Sequence, residues 1–252
     1  MSKQTRSPLT AKPLRNPGQS LDEQIQDLLG DAISYMIAPL VFLALAIVQW
    51  EAYLTRRPPN PWLGTVLTVA LVVYSGIKLY KLRQEVVRLR MARDGEKAVG
   101  QYLQDLEEVR VFHDVLGPGF NVDHVVISRK GIYAIDTKTY SKPLKGEVRI
   151  RIADDRVYAN GHEIERNPLN QIRALTSWVQ QMLKESTGKT FPVRGVVLFP
   201  GWFVEPFKED PAVWVLNPKA FPKYLKNDPE RLAKEDVHLA VYHLSRFIRG
   251  GQ

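Results

Sequence analysis

Four charged side chains lie at the ends of segments that are otherwise apolar. They are Glu96, Asp123, Asp136 and Lys138. The segments around the two aspartates, 122–128 and 132–138, are rich in Val and Ile, and this composition predicts strands. A buried charge without a partner is costly, so charges in such segments are candidates for chemistry.

The spacing of the two aspartates predicts that they face each other. Their segments are joined by Arg129-Lys130-Gly131, which is typical of a hairpin turn. With a two-residue loop, at Arg129-Lys130 or at Lys130-Gly131, Asp123 lies opposite Asp136 or one diagonal away. Strand alternation then places both aspartates and Lys138 on one face. A three-residue loop would break this parity.

Two carboxylates placed in this way repel each other unless a proton, a lysine or a cation lies between them. Hard oxygen ligands with room for water suit Mg²⁺ or Mn²⁺. The alternative is a surface hairpin with solvated ends. The apolar residues on both faces of these strands count against it; they are Val125, Ile127 and Ile132 on one face and Val126, Tyr133 and Ile135 on the other.

These segments resemble the nuclease-related domain (NERD) family, a branch of the PD-(D/E)xK nuclease-like superfamily. The matching pieces are Gly95-Glu96 on a first helix, Val122-Asp123-His124-Val125-Val126 on one strand, Gly131-Ile132-Tyr133-Ala134-Ile135-Asp136-Thr137-Lys138 on the next, and Asn167-Pro168-Leu169-Asn170-Gln171 at the start of a later helix. The resemblance extends from about residue 94 to the end of the chain and thins after residue 199. The family usually has Glu where this chain has Asp136.

The resemblance implies an α/β fold, a mixed sheet flanked by helices, and hydrolysis of phosphodiester bonds with a divalent cation, Mg²⁺ or Mn²⁺. It implies Asp123 and Asp136 as metal ligands, with Glu96 as a further ligand, direct or through water. Lys138 would be the catalytic residue that orients or activates the water, and Gln171 would support the site. Metal ions lower the pKa of bound water, and a lysine can steady developing negative charge, so the residue types agree with this chemistry.

Two classes of function remain open at this point. The first is a membrane-anchored, metal-dependent nuclease that acts on DNA or RNA at the cytoplasmic face. The second is a non-catalytic module that keeps the nuclease fold and binds a nucleic acid, a nucleotide or a protein partner at the membrane. Retention of Glu96, Asp123, Asp136 and Lys138 favours the first class.

The composition excludes some site chemistries. The chain of 252 residues has no cysteine, so disulfides, thiolate metal sites and a cysteine nucleophile are excluded. Residues 1–93 hold 12 Lys and Arg against 6 Asp and Glu, while residues 94–252 hold 23 against 21. The net charge of +8 therefore lies mostly in the first part, and it is not an argument for DNA binding by the second.

Two apolar runs, 32–50 and 62–79, predict a transmembrane helical hairpin. The first has no charge and the second has none before Lys78, and each is long enough to cross a hydrocarbon core of about 30 Å. A short polar turn, 55–61, joins them. The alternative is a buried helical hairpin in a soluble protein.

The charges that flank the two runs predict the orientation of the hairpin. Four basic residues precede the first run, five follow residue 80, and the turn has only Arg56 and Arg57. Since basic residues favour the cytoplasmic side, we expect both ends in the cytoplasm, as in a multi-pass protein of the cell (inner) membrane. The basic residues after residue 80 would contact anionic lipid headgroups, or alternatively nucleic-acid phosphates.

We therefore expect four parts along the chain. Residues 1–31 form a polar, disordered segment, residues 32–80 the transmembrane hairpin, residues 81–93 a basic juxtamembrane helix, and residues 94–252 the nuclease-related domain. Within the last part, strands are predicted at 146–152, 156–159, 193–199 and 213–216, and helices at 168–184 and 237–248. His124 should point away from Asp123 and pack in the core. Arg149 and Arg151 would contact phosphates or form a solvated strand edge.

Overall fold

The computed structural model describes residues 14–55, 60–142, 148–207 and 210–250. The chain divides into two compact units, one made of residues 21–91 and the other of residues 1–20 and 92–252. The second unit is a mixed α/β structure, which confirms the predicted fold class.

Two long helices supply the first unit. They are α1 (Gln19–Leu54) and α2 (Trp62–Gln104). The part of each that lies in the first unit is apolar and long enough to cross a membrane. Their contacts are those of a helical hairpin: Trp50 Nε1 donates to Thr65 Oγ1 at 2.8 Å, and the Thr68 hydroxyl donates to the Phe42 carbonyl at 3.2 Å.

The apolar side chains of this hairpin are mostly exposed. Leu40 on α1 exposes 63% of its surface, and Leu63 on α2 exposes 71%. A continuous exposed apolar surface of this kind is unfavourable in water. This exposure argues against the alternative of a helical hairpin buried inside a soluble protein.

The segment before α1 differs from the expectation of disorder. Residues 1–13 lie outside the described residues, but residues 14–31 have a defined structure and α1 begins at Gln19. Arg15 Nε donates to Asp114 Oδ2 at 2.6 Å, and both side chains are buried. The backbone N–H of Ser20 also donates to Oδ2 of Asp114, at 2.9 Å, and its hydroxyl donates to Oδ1 at 2.5 Å. No local sequence pattern indicates this contact, because Arg15 and Asp114 are 99 residues apart.

Within the described residues, the second unit also contains nine strands and three further α-helices. The strands are β1 (Arg110–Gly117), β2 (Phe120–Ser128), β3 (Gly131–Thr137), β4 (Arg149–Ala153), β5 (Arg156–Ala159), β6 (His162–Glu163), β7 (Val193–Leu198), β8 (Phe203–Val204) and β9 (Val213–Leu216). The helices are α3 (Pro168–Thr187), α4 (Phe221–Asn227) and α5 (Lys234–Gly250).

The first sheet has the strand order β1-β2-β3-β7-β9. The first three strands form an antiparallel meander, and β7 and β9 continue it as parallel strands. Helix α3 covers one face, where Ile172 packs in a core with Val125 and Ile132. The last turns of α2 and helix α4 cover the other face, where Leu103 packs with Tyr133. Both faces of β2 and β3 are thus buried, as their apolar composition predicts.

The second sheet has the order β6-β5-β4-β8. Ile150 and Val157 on its inner face belong to the same core as α3. The predicted strands at 156–159 and 213–216 have the observed bounds, while part of the predicted strand at 146–152 lies outside the described residues. Strands β1 and β8 were not predicted, because β1 carries charges at the positions of a buried strand and β8 has only two residues.

The Arg15–Asp114 ion pair generates a prediction about stability. Arg15→Met leaves the buried Asp114 carboxylate without a counter-charge and should lower the stability of the second unit by about 3 kcal/mol. The measurement is thermal unfolding of the full chain in detergent, followed by tryptophan fluorescence. Arg246→Met, at an exposed position on α5, is the matched control and should change stability by less than about 0.5 kcal/mol.

A double variant separates the ion pair from simple packing. Arg15→Met combined with Asp114→Asn removes both charges and should recover part of the loss, since the uncompensated buried charge is gone. If the double variant is less stable than Arg15→Met alone by the full effect of Asp114→Asn, the two side chains do not interact energetically.

Candidate active site

The hairpin of β2 and β3 places Asp123 and Asp136. Ser128 pairs with Gly131, so the loop consists of the two residues Arg129 and Lys130. The pairing continues to His124 with Ile135, which puts Asp123 at the position opposite Asp136. The loop has two residues, and Asp123 therefore faces Asp136 as the sequence predicts for a loop of that length.

Both aspartates are buried at the end of the antiparallel ladder. Asp136 exposes 2% of its surface and Asp123 exposes 6%. Asp123 Oδ2 accepts a hydrogen bond of 2.6 Å from the backbone N–H of Thr137, the residue that ends β3. This bond fixes the Asp123 carboxylate against the next strand, where it cannot turn to solvent.

Lys138 and Gln171 form a triangle with Asp136. Lys138 Nζ lies 3.0 Å from Oδ1 and 2.9 Å from Oδ2 of Asp136, and it donates to Gln171 Oε1 at 2.9 Å. Gln171 Nε2 donates to Asp136 Oδ1 at 3.3 Å. The amide of Gln171 therefore accepts from the lysine and donates to the aspartate, and this fixes which way the amide is turned.

The beginning of α3 positions Gln171. Asn167 caps the helix, because its side chain accepts from the backbone N–H of Leu169 at 3.0 Å, and Pro168 occupies the first helical position. Gln171 follows one turn later. The motif that starts at Asn167 thus sets both the helix start and the direction of the Gln171 side chain.

Glu96 approaches the site from the last part of α2. A Cβ atom at the neighbouring Gly95 would lie 1.9 Å from Thr139 Oγ1 and 3.0 Å from Thr139 Cβ. Only glycine at position 95 therefore lets the helix lie so close to the chain that leaves β3. Glu96 exposes 5% of its surface, and among the described residues its Oε2 atom has no hydrogen-bond partner.

Burial and the neighbouring carboxylates shift the pKa values of Glu96 and Asp123 upward. Burial raises the pKa of Glu96 well above its ordinary value, and the charges of Asp123, Asp114 and Asp136 add to this effect. Burial and then the charge of Asp136 raise the pKa of Asp123. Burial lowers the pKa of Lys138, but the charge and hydrogen bond of Asp136 outweigh it, so that the net shift is upward. Lys138 is therefore an ammonium ion at neutral pH.

The side chains present suit a hard divalent cation. Among the described residues, Glu96 Oε2 has no hydrogen-bond partner. Asp136 Oδ2 forms an ion pair with Lys138 Nζ at 2.9 Å but accepts no well-aligned hydrogen bond from the described residues. Within the described ranges, no three His, Asp or Glu side chains are close enough together to hold a metal ion by themselves. Mg²⁺ is commonly bound through one or two carboxylates, with water and phosphate oxygens as its other ligands. The residues thus fit an open cation site of two carboxylates.

Asp114 is the acidic residue of this cluster that the sequence reasoning missed. It lies on β1 between His113, which pairs with His124, and Val115, which pairs with Val122, so its position is opposite Asp123. Its φ of 49° is unusual for a residue within a strand. A signal was present in the sequence: Gly117-Pro118-Gly119 is a turn, and pairing outward from it sets Asp114 against Asp123.

His124 packs in the core, on the other side of the strand from Asp123. It is fully buried, and its Nδ1 lies 2.9 Å from Nδ1 of His113, whose Nε2 lies 2.7 Å from Gln104 Nε2. Burial lowers the pKa of both imidazoles, so both rings are neutral. These two histidines form a polar contact inside the sheet, and sequence spacing did not indicate that they touch.

The structure thus brings together the residues singled out from the sequence. Lys138 and Gln171 contact Asp136 directly, while Asp123 and Glu96 are close enough to interact with it electrostatically. Their roles as metal ligands and catalytic groups remain predictions. Where β3 ends, the ammonium group of Lys138 thus lies beside the amide of Gln171 and several carboxylates.

Comparison with known proteins agrees with this picture. The solved structure of SfsA from Pyrococcus furiosus in complex with Ca²⁺ is 15% identical to this chain, with a TM-score of 0.24. The alignment covers 51% of this chain and 55% of that one, so this chain matches about half the length of SfsA. No curated protein matches the chain. The family model of the nuclease-related domain matches residues 92–200, which contain all five residues of the candidate site. This part of the chain belongs to the nuclease-related domain family.

Proposed function

We propose that this protein is a membrane-anchored, metal-dependent nuclease that hydrolyses phosphodiester bonds of DNA or RNA at the cytoplasmic face. The observation that carries the proposal is the contact of Lys138 and Gln171 with Asp136, beside the buried Asp123 and Glu96. Buried carboxylates that repel each other are unfavourable for folding, and such arrangements are concentrated at functional sites.

Each residue has a role in this proposal. A bound Mg²⁺ or Mn²⁺ would supply an activated water and offset charge on the phosphate. Asp123 and Asp136 would hold the cation, and Glu96 would do so directly or through water. The ammonium of Lys138 would hold the attacking water and steady the charge that develops beside it. Gln171 positions the side chains of Lys138 and Asp136 by hydrogen bonds to both. The backbone N–H of Thr137 holds the Asp123 carboxylate in place.

The second candidate function is a non-catalytic module that binds nucleic acid, a nucleotide or a protein partner. Its support is that Lys138 lies against both oxygens of Asp136, where the lysine acts as a counter-ion. In this second function, the ammonium of Lys138 takes the place of a metal ion beside Asp136, and the domain binds its partner without catalysis.

One experiment decides between the two functions. The full chain is purified in detergent and incubated with labelled DNA and RNA, single-stranded and duplex, with Mg²⁺, Mn²⁺ or EDTA. The nuclease proposal expects cleavage that requires the cation and is lost in Asp136→Asn. If no nucleic acid is cleaved with either cation, the non-catalytic module is the better account.

Lys138 gives the sharpest test of the catalytic roles. As the group beside the attacking water, its loss in Lys138→Ala should lower turnover by about two orders of magnitude or more, with the protein still folded. As a counter-ion only, its loss would change stability or metal affinity and leave turnover largely intact at saturating cation. Lys184→Ala, at an exposed position on α3, is the matched control. Turnover and thermal unfolding are measured on the same samples.

The repulsion between the carboxylates predicts an unusual effect of Asp123→Asn. Without a cation, the variant should be at least as stable as the wild type, because a like charge is removed while an acceptor for Thr137 N–H remains. With Mn²⁺ at about 100 times its Kd, the wild type should gain about 2.7 kcal/mol and the variant little. Asp105→Asn, an exposed position, is the control and should gain as the wild type does. Equal gains in the wild type and Asp123→Asn would refute the proposed site.

We further propose that the two apolar helices of the first unit span the cell (inner) membrane with both chain ends in the cytoplasm. The support is the length and exposure of these helices and the basic residues that flank them. The basic residues at 81–93 would bind anionic headgroups, each contributing about 1 kcal/mol near the surface.

The absence of native cysteine makes this topology testable by single substitutions. In intact cells, cysteines introduced at Ser2 and Gln252 should resist an impermeant thiol reagent, while one at Asn60 should react. Reaction at Gln252 without reaction at Asn60 would show the opposite orientation. Release of the protein from membranes by salt alone would show that the hairpin does not insert.

A further inference from the structure

The outer face of the second sheet carries two arginines and an exposed aromatic ring. Arg149 and Arg151 lie on the same face of β4, and Phe203 on β8 is the strand partner of Arg149. Ile150, between the two arginines, points into the core. We call Arg149, Arg151 and Phe203 the Arg–Phe strip.

Phe203 is unusually exposed for a strand residue of its type. It leaves 61% of its surface open, while its neighbour Trp202 is buried. The guanidinium of Arg149 lies 5.5 Å from the centre of the Phe203 ring, within the range of a cation–π contact. The ring is therefore held in place by its strand and by Arg149, and it still presents a flat apolar surface to solvent.

Two cavities border the residues of the strip. One, of about 700 Å³, is lined by Arg149, Arg151, Tyr158, Asn160 and Glu205. The other, of about 580 Å³, is lined by Trp202, Phe203, Tyr224 and Lys219, and Glu205 borders it as well. The shared residue makes the two cavities neighbours, and we refer to the pair as the groove; arginines line the first cavity, and aromatic residues and Lys219 line the second.

The charge in this groove favours an anionic chain. Glu205 is the acidic residue that borders both cavities, and it lies 3.0 Å from Arg149 and 4.0 Å from Arg151. Among the described residues that line the two cavities, the charged groups are Arg149, Arg151, Lys219 and Glu205, and Arg151 keeps 69% of its side chain exposed. Lys219 adds a further positive charge at the second cavity. The groove is positive although the domain as a whole is nearly neutral.

A short stretch of chain connects the groove to the candidate active site. Strand β7 pairs Val197 with Asp136, and the backbone N–H of Lys138 donates to Leu198 at 2.8 Å. Phe203 follows five residues after Leu198, so it lies within about 17 Å of that contact. A nucleic acid that spans this distance would need only a few nucleotides.

We propose that the Arg–Phe strip binds single-stranded nucleic acid and presents it to the active site. Exposed aromatic rings stack on bases, which are accessible in a single strand and hidden in a duplex, and arginines contact the phosphates. The inference rests on the proposed function and narrows its substrate to unpaired DNA or RNA.

The test measures binding separately from cleavage. The full chain in detergent and EDTA is titrated into a fluorescent 15-nucleotide single strand or into the duplex of the same length, and anisotropy is recorded at several salt concentrations. Wild type should bind the single strand at least about tenfold more tightly than the duplex. Phe203→Ala should weaken binding to the single strand about tenfold or more, the size expected for loss of one stacked base. Arg151→Ala should weaken it and lower the salt dependence by about one counter-ion.

Matched controls come from the exposed face of α5. Tyr242 is as exposed as Phe203, at 62%, and Arg246 is likewise exposed. Tyr242→Ala and Arg246→Ala should leave binding unchanged. The proposal is overturned if these controls weaken binding as much as the strip variants, if duplex binds as tightly as single strand, or if the wild type binds neither.

The outcomes separate this inference from the proposed function. Cleavage with a cation, together with unchanged binding in Phe203→Ala, would refute the strip and leave the nuclease proposal intact. Strip-dependent binding without cleavage under any cation would keep the strip and refute the nuclease proposal.

Discussion

Electrostatic repulsion among buried carboxylates is the constraint around which this domain is arranged. Four acidic side chains, Glu96, Asp114, Asp123 and Asp136, lie buried near one another where a sheet has both faces covered by apolar residues. Each would be unfavourable alone, and burial together with the neighbouring charges raises the pKa values of Glu96 and Asp123. The surrounding structure offsets this cost locally, since each aspartate accepts hydrogen bonds from a different part of the chain.

Different groups stabilise the carboxylates of the three aspartates. Asp114 has a buried arginine and Asp136 has Lys138 and Gln171, while the hydrogen bond that the described residues give to Asp123 comes from the backbone N–H of Thr137. Asp123 and Glu96 are therefore the acids of this cluster whose negative charge is least compensated, and their pKa values are raised accordingly. Electrostatics alone thus indicates where an added cation would stabilise the protein most. Such incompletely balanced carboxylates are concentrated at functional sites, and this supports the proposed cation site.

The sequence allowed the central part of the site to be predicted because its signals are local. A two-residue loop and strand alternation determine how Asp123 faces Asp136, and an asparagine cap followed by proline determines the start of α3 and hence the position of Gln171. Arg15 could not be predicted in this way, since its contact with Asp114 depends on how distant segments pack. The same holds for the Arg–Phe strip. Its strand β8 is two residues long and is defined by its pairing with β4, which is distant in sequence. Local patterns thus revealed the elements and their facing residues, but not the contacts that join separate elements.

The contact of Arg15 and Ser20 with Asp114 also bears on what the nuclease-related domain is. The family match begins at residue 92, and the sequence placed the domain boundary at residue 94. A fragment with that boundary lacks both residues and leaves a buried carboxylate next to Asp123 without its counter-charge. Such a carboxylate would add to the repulsion that Asp123 already experiences, so the fragment would be destabilised at the site itself. Inactivity of that fragment would then reflect a missing part of the fold. Because residues 14–20 belong to the same compact unit, the functional domain is discontinuous in sequence and includes the segment that precedes the first apolar helix.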